Sequence, residues 1–159
     1  MKKNSVCLYN IILPIWMMAM VPPLVFVSLG LSYAIDTLVL RICGNRLTGD
    51  GKALWKSSIL RVWLLGFAAD FVGSVWMFLP ALTDWSSDFI NAVMLNPFSH
   101  PLGLVWTIVG LLISGVLIYI FNLKLGLKKA ELTDEQRKKA ALRLAVFTAP
   151  YLFLIPMVW

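Results

Sequence analysis

The sequence predicts an all-α, polytopic membrane protein in which four transmembrane helices form a small bundle. Hydrophobic residues make up 60% of its 159 residues and charged residues 14%, whereas a soluble domain has about 25% charged residues. The mean hydropathy is +0.82. Four long segments carry at most one charge each, and charged segments separate them. One soluble core could not bury this much apolar side chain, so we expect a single membrane domain surrounded by lipid.

The distribution of charge sets the predicted spans. A helix needs ~20 residues to cross the hydrocarbon layer, at ~1.5 Å per residue. The segments that meet this requirement are 22–40, 59–83, 102–123 and 140–159, joined by inner loops 41–58 and 124–139 and by an outer loop 84–101. We expect Thr133 to cap the last helix, with Gln136 as its capping-box partner, and Pro150 to kink it.

The first apolar segment is too long for one span, and Pro22-Pro23 interrupts it. Proline is tolerated in the first turn of a helix and poorly in its interior. We therefore expect the first helix to be kinked or broken there, with residues 8–21 as a tilted or interfacial N-terminal extension. The alternative is a re-entrant hairpin with the prolines at its apex, which requires other parts of the protein to cover its irregular backbone.

Basic residues predict the orientation in a cell membrane. Twelve of the 14 Lys and Arg residues fall in the segments 41–61 and 124–143, which comprise the two loops assigned to the cytosol and the adjoining ends of two spans, and only Lys2 and Lys3 lie elsewhere. Short cytoplasmic loops carry such an excess, so both termini are predicted to be extracytoplasmic unless the hairpin brings the N-terminus inside. The net charge of +6 is thereby explained without a nucleic-acid partner.

The second inner loop contains a basic cluster directly beside a predicted span. Such clusters bind the anionic lipid headgroups of the inner leaflet, and the same segment could dock a cytosolic partner. A purely topogenic role is the simpler alternative. The residues of this cluster are Lys128, Lys129, Arg137, Lys138, Lys139 and Arg143.

Small and polar residues recur at helical spacing within the predicted spans. Helices in lipid associate through close backbone packing and interhelical hydrogen bonds, which small residues permit. Such stripes are therefore expected to face one another inside the bundle. The predicted helix-packing residues are Gly66 and Gly73 in the second span and Gly103, Thr107 and Gly110 in the third.

Asp70 is an acidic residue in the middle of the second apolar segment. Counting along the helices from the inner basic residues places Asp70, Ser32 and Ser114 near the midplane, with Asp36 closer to the cytosol. We expect Asp70 to face the bundle interior or a subunit seam and to be protonated, because burial without a basic partner disfavours the charged form. One interpretation is a proton or cation site, with Asp36 as a relay and the serines as ligands. The other is a hydrogen bond that locks the bundle.

No motif indicates an enzyme, a cofactor or a metal site. The single histidine, His100, lies beside Ser99 in the outer loop, but a triad requires nucleophile–base–orienter geometry that residue types alone do not supply. There is no HExxH, P-loop or metal-ligand cluster. We therefore expect a protein without catalytic residues, cofactor or metal.

The predicted function is that of a non-enzymatic membrane subunit. Small size, little mass outside the membrane and glycine-rich helix faces favour an assembly or scaffold component of a secretion, conjugation or transport complex, with other membrane subunits as partners. One alternative is a small oligomeric channel or transporter that couples to protons or cations through Asp70. Another is an immunity-type protein that binds a membrane toxin, and the sequence does not separate it from the scaffold.

Overall fold

The computed structural model describes residues 22–83 and 85–156, and over this part of the chain it is helical without any strand. The prediction of an all-α protein is confirmed. The α-helices are α1 (Pro22–Leu47), α2 (Gly51–Phe78), α3 (Ser87–Met94), α4 (Pro101–Phe121) and α5 (Asp134–Thr148). Shorter helical turns are the 3-10 helices Leu79–Leu82, Pro97–Ser99 and Tyr151–Leu154 and the π-helical turn Asn122–Gly126.

Two helical stretches are long and apolar enough to cross a membrane. They are Gly51–Leu82, with 32 residues, and Pro101–Gly126, with 26 residues. Within their most apolar windows only 28% and 22% of the residues are buried. A helix in the core of a soluble protein would be mostly buried, so the exposed apolar surface supports membrane association. The N-terminal extension at residues 8–21 and the break predicted to lead into it lie outside the described residues.

α1 and α2 form a tight helical hairpin where the sequence analysis places the inner loop 41–58. Only residues 48–50 separate the two helices, and Gly49 takes a positive φ of 77°. Asp50 then caps α2 by accepting hydrogen bonds from the Lys52 and Ala53 amides, at 3.0 Å each. Charged residues do not end a helix, because helical hydrogen bonds are made by the backbone, and so both helices continue past the apolar segments.

Glycine allows the two helices to approach each other beside this turn. A Cβ atom at Gly44 would lie 2.5 Å from the Cα atom of Gly51. The Gly51 amide also donates a 2.8 Å hydrogen bond to Asn45 Oδ1. The hairpin is therefore fixed by its glycines and by one side-chain amide, and its arms pack along their length.

α5 begins as predicted and ends earlier than predicted. Thr133 and Gln136 form the capping box, with hydrogen bonds of 3.3 Å and 3.0 Å. The helix stops at Thr148, and Ala149 has an extended ψ of 147°. A residue that precedes proline is disfavoured in the α conformation, so Pro150 ends α5 where the sequence analysis expects a kink. The chain then continues as the 3-10 helix Tyr151–Leu154.

The outer connection is also structured. α3 occupies part of the predicted loop 84–101, with Ser86 as its N-cap. Its Phe89 joins Trp85 and Trp106 in a cluster of rings that also includes Trp76. His100 accepts a 3.2 Å hydrogen bond from the Leu102 amide through Nδ1 and so caps α4. This histidine therefore has a structural role.

Candidate buried polar site

Asp36 lies inside the helical bundle. The residue is only 4% exposed. Its Oδ2 atom lies 3.9 Å from the position that a Cβ atom at Gly66 would occupy. Gly66 and Asp70 are four residues apart and share one face of α2. The α1–α2 hairpin therefore places the Asp36 carboxyl group one helical turn from Asp70, on the inner side.

Asp70 has one carboxyl oxygen that is completely enclosed. Oδ1 is buried and finds no hydrogen-bond partner among the described residues. The carboxyl group of Asp36 lies against Gly66, which is one helical turn from Asp70 on the same face of α2. Both ion pairs of the described chain are on α5, Arg137–Asp134 and Lys139–Glu135, so neither interior carboxyl group has a basic partner there.

Ser114 reaches the neighbourhood of Asp70 without bonding to its carboxyl group. Its hydroxyl donates a 3.4 Å hydrogen bond to the Ala69 carbonyl, and it fills the space left by the missing side chain of Gly73. The backbone carbonyl of Asp70 accepts a 2.9 Å bond from Ser74. Ser114 therefore joins α4 to the backbone of α2 beside Asp70.

Ser32 has other partners. Its hydroxyl donates to the Leu29 carbonyl and accepts from Trp63 Nε1, at 3.1 Å each. Asp36 lies five residues from Arg41 and Gly66 lies five residues from Arg61, so their contact agrees with a depth counted from these two arginines. Ser32 is instead reached by the long indole side chain of Trp63. The structure therefore places Asp36 one helical turn from Asp70 and Ser32 beside Trp63.

The predicted packing residues occupy crowded contacts. A Cβ atom at Gly103 would lie 2.6 Å from Ala92 Cβ in α3, and one at Gly110 would lie 3.1 Å from Trp76 Cδ1. Thr107 is fully buried and donates a 2.9 Å hydrogen bond to the Gly103 carbonyl. Gly103 thus packs against the outer-loop helix, which the sequence analysis does not anticipate. The less crowded Gly66 faces Asp36.

Asn122 belongs to the buried polar residues, and the sequence analysis misses it. The residue is 1% exposed, and neither Oδ1 nor Nδ2 has a hydrogen-bond partner among the described residues. It begins the π-helical turn Asn122–Gly126. An amide inside an apolar span, followed four residues later by a glycine, is the signal that would have indicated a special turn.

The basic cluster of the second inner loop is mostly exposed. Arg137 pairs with Asp134 at 3.4 Å, and Arg143 approaches Cys43 Sγ at 4.0 Å. These two arginines are partly buried. The exposed members are Lys128, Lys129, Lys138 and Lys139. Lys139 forms an exposed ion pair with Glu135 at 4.0 Å.

The groups that the interior site offers for binding are carboxyl groups. Across the described ranges, no three side chains of His, Cys, Asp or Glu gather as a metal site. A carboxylate only accepts hydrogen bonds, whereas a carboxylic acid also donates one. The buried carboxyl group of Asp36 and the enclosed carboxyl oxygen of Asp70 have no basic partner in these ranges, and a proton or a bound cation can neutralise such groups.

Comparisons with known proteins return no relative. The chain matches no protein-family model, no curated protein and no solved structure.

Proposed function

We propose that this chain is a four-span membrane protein that binds and transfers a proton or a monovalent cation at Asp36 and Asp70. The observation that carries the proposal is the enclosed, unpartnered Oδ1 atom of Asp70, one helical turn from the buried carboxyl group of Asp36. Ionisable residues inside a membrane are costly, and they typically mark ion pathways or proton relays.

Apolar surface on all four long helices supports four spans. Each of them exposes large hydrophobic side chains, as expected of helices that contact lipid. Representative residues are Ile35 and Leu38 on α1, Leu64 and Phe71 on α2, Val105 and Leu112 on α4, and Val146 and Phe147 on α5. α5 is the shortest at 15 residues, about 22 Å, and the turn Tyr151–Leu154 extends it outward. The basic inner loops set the orientation.

A purely structural role for Asp70 has less support. A locking role needs a hydrogen bond between the carboxyl group and a hydroxyl or carbonyl on another helix. Ser114 instead bonds to the Ala69 carbonyl, and Ser32 bonds to Leu29 and Trp63. The carboxyl oxygen that points into the protein is left for a ligand, and a proton or small cation is the species that carboxyl groups bind.

A second candidate is a subunit of a larger membrane complex of the secretion, conjugation or transport kind. It is favoured by Gly30 and Gly115, where a Cβ atom would meet nothing within 4 Å. Gly30 is exposed on α1, and another transmembrane helix could approach closely there. The immunity-type alternative would use the same surface to bind a toxin.

Reconstitution tests the proposed function. The purified protein is placed in liposomes with a pH-sensitive dye, and proton, sodium and potassium gradients are imposed in turn. We expect the wild type to carry one of these ions and the double variant Asp36→Asn/Asp70→Asn to carry none. Equal flux through the wild type, the double variant and empty liposomes would refute the proposal. A defined hetero-complex in the detergent-solubilised mass would favour the subunit candidate.

A further inference from the structure

The side chain of Asn122 is an unexplained polar group in the core. It is 1% exposed, and its carbonyl oxygen and its amide nitrogen both lack a hydrogen-bond partner among the described residues. Buried polar side chains are nearly always satisfied by protein or by ordered water. Because both ends of the amide are unpaired, rotating the group by 180° does not change this conclusion.

The local backbone is built to hold this amide. Asn122–Gly126 is a π-helical turn, closed by a 2.9 Å hydrogen bond from the Leu127 amide to the Asn122 carbonyl. A Cβ atom at Gly126 would collide with Asn122 Oδ1, so the glycine makes room for the side chain. The turn lies at the C-terminal end of α4, where π-turns occur.

The chemistry of the amide selects its ligand. Oδ1 accepts a hydrogen bond and Nδ2 donates, so a cation would satisfy only the oxygen and an anion only the nitrogen. Water does both, and buried waters typically make about three hydrogen bonds to otherwise unsatisfied groups. We propose that Asn122 is a binding site for buried water on the route between Asp36 and the inner face of the protein.

The placement of Asn122 fits such a route. The Cβ position of Gly126 lies 3.4 Å from Val62 Cγ2, so the amide is near Val62 on α2. Val62 is one turn, ~6 Å, inward of Gly66, and the Asp36 carboxyl group lies against Gly66. A chain of two waters makes three hydrogen bonds of ~2.8 Å and so reaches ~8 Å, which is more than this rise along α2.

The role of the water site rests on the proposed function. A proton leaves Asp36 when its O–H bond breaks and an O–H bond forms at the adjacent water, which passes a proton to the next water. Each transfer leaves the number of protons unchanged. Asn122 fixes the inner water by accepting one hydrogen bond from it and donating another to it. Other ionisable groups toward the inner end are Tyr119 on α4, Cys43 on α1 and Arg143 on α5.

Hydration of the site is tested directly by NMR. In protein labelled with nitrogen-15 and held in detergent micelles, the Asn122 side-chain amide should show a cross-peak with water. Gly126→Ala moves the amide oxygen and should alter or remove this cross-peak. The exposed Asn45 amide serves as a positive control. An Asn122 amide without water contact in the folded wild type would overturn the inference.

Flux through liposomes tests the role. Asn122→Leu should fold and lower proton flux severalfold, because leucine holds no water. Thr107→Val is the matched control, since Thr107 is equally buried but bonded to the Gly103 carbonyl, and its flux should be unchanged. If Asp70→Asn abolishes flux and Asn122→Leu does not, the route through Asn122 is refuted while the proposed function stands. If Asp70→Asn keeps full flux, both the proposed function and this route are refuted. The NMR cross-peak then decides only whether water binds at Asn122.

Discussion

The hydroxyl group of Ser114 occupies the space in which a side chain at Gly73 would begin. It also donates a 3.4 Å hydrogen bond to the carbonyl group of Ala69, which lies on α2 as Gly73 does. α4 thus packs a serine side chain against the backbone of α2, about one turn from Asp70 on the side away from the α1–α2 turn. Close approach at a glycine, with an interhelical hydrogen bond, is the usual way in which transmembrane helices associate.

Gly73→Ala should destabilise the bundle. The added methyl group collides with Ser114 and also crowds Phe153, 3.2 Å away, and overpacking of this kind costs about 1–3 kcal/mol. Gly115→Ala is the control, because a Cβ atom there meets nothing within 4 Å, and alanine is favoured over glycine in a helix by up to ~1 kcal/mol. The measurement is denaturant or thermal unfolding in detergent. Equal stability of the two variants would show that α2 and α4 do not meet as described.

Trp76 and Trp106 should be energetically coupled. Each indole Nε1 donates a 3.2 Å hydrogen bond to the backbone carbonyl of the other residue, and the rings stack with centroids 4.3 Å apart. Trp76→Phe and Trp106→Phe should each cost about 1 kcal/mol for a lost hydrogen bond. A double-mutant cycle should give a coupling of about 0.5–1.5 kcal/mol. Strictly additive effects on the free energy of unfolding would contradict the reciprocal arrangement.

Gln136 should stabilise the inner end of the bundle through two contacts. Its Oε1 atom accepts from the Thr133 amide at 3.0 Å, and its Nε2 atom donates to the Leu47 carbonyl at the end of α1, at 2.7 Å. Gln136→Ala should lower the free energy of unfolding by about 1–2 kcal/mol, at about 1 kcal/mol per hydrogen bond. Lys138→Ala, at an exposed position of the same helix, should change it little. An equal loss of unfolding free energy in Lys138→Ala would show that substitution anywhere on α5 has this effect and that the two hydrogen bonds of Gln136 do not cause it.

Thiol labelling should reveal the orientation. In a background without Cys7 and Cys43, a cysteine replacing the exposed Ser87 should react with an impermeant reagent added to intact cells. A cysteine replacing the exposed Lys128 should react only after the membrane is opened. The prediction follows from the 12 of 14 basic residues that lie in the segments 41–61 and 124–143. Reversed labelling would invert the orientation and, with it, the direction of the proposed route.

Apolar segments predict where helices lie, but they do not predict where helices end. The charges between Arg41 and Arg61 suggest a loop, yet helix continues through them except at residues 48–50, because the backbone there still has its own hydrogen bonds. Thr133 and Pro150 are local signals, and both act within one turn of an α5 end. The sequence of α3 has an N-cap residue but few other signals that predict a helix. Its contact with Gly103 depends on tertiary structure, which the sequence pattern does not give.

Part of the polar site can be predicted from the sequence. The stripe that contains Gly73 and the stripe that contains Ser114 meet as helical spacing suggests. The contact of Asp36 with Gly66 also agrees with a depth counted from the inner arginines, whereas the hydrogen bond from Trp63 to Ser32 depends on the direction of the indole side chain. Asn122 is missed because a single amide in an apolar run gives no periodic pattern, and its significance comes from burial and from the π-helical turn.

The most direct test of the central claim compares Asp70→Asn with Asp70→Leu, measuring assembly and ion flux on the same preparations. The amide keeps a donor and an acceptor but cannot take up or release a proton, so Asp70→Asn should fold and assemble like the wild type and carry no ion. Asp70→Leu should also carry none, and because it removes no hydrogen bond seen among the described residues, its stability should change by less than the ~0.6 kcal/mol average of a membrane hydrogen bond. Wild-type flux through correctly folded Asp70→Asn would contradict the account, because the carboxyl group would then have no part in transfer.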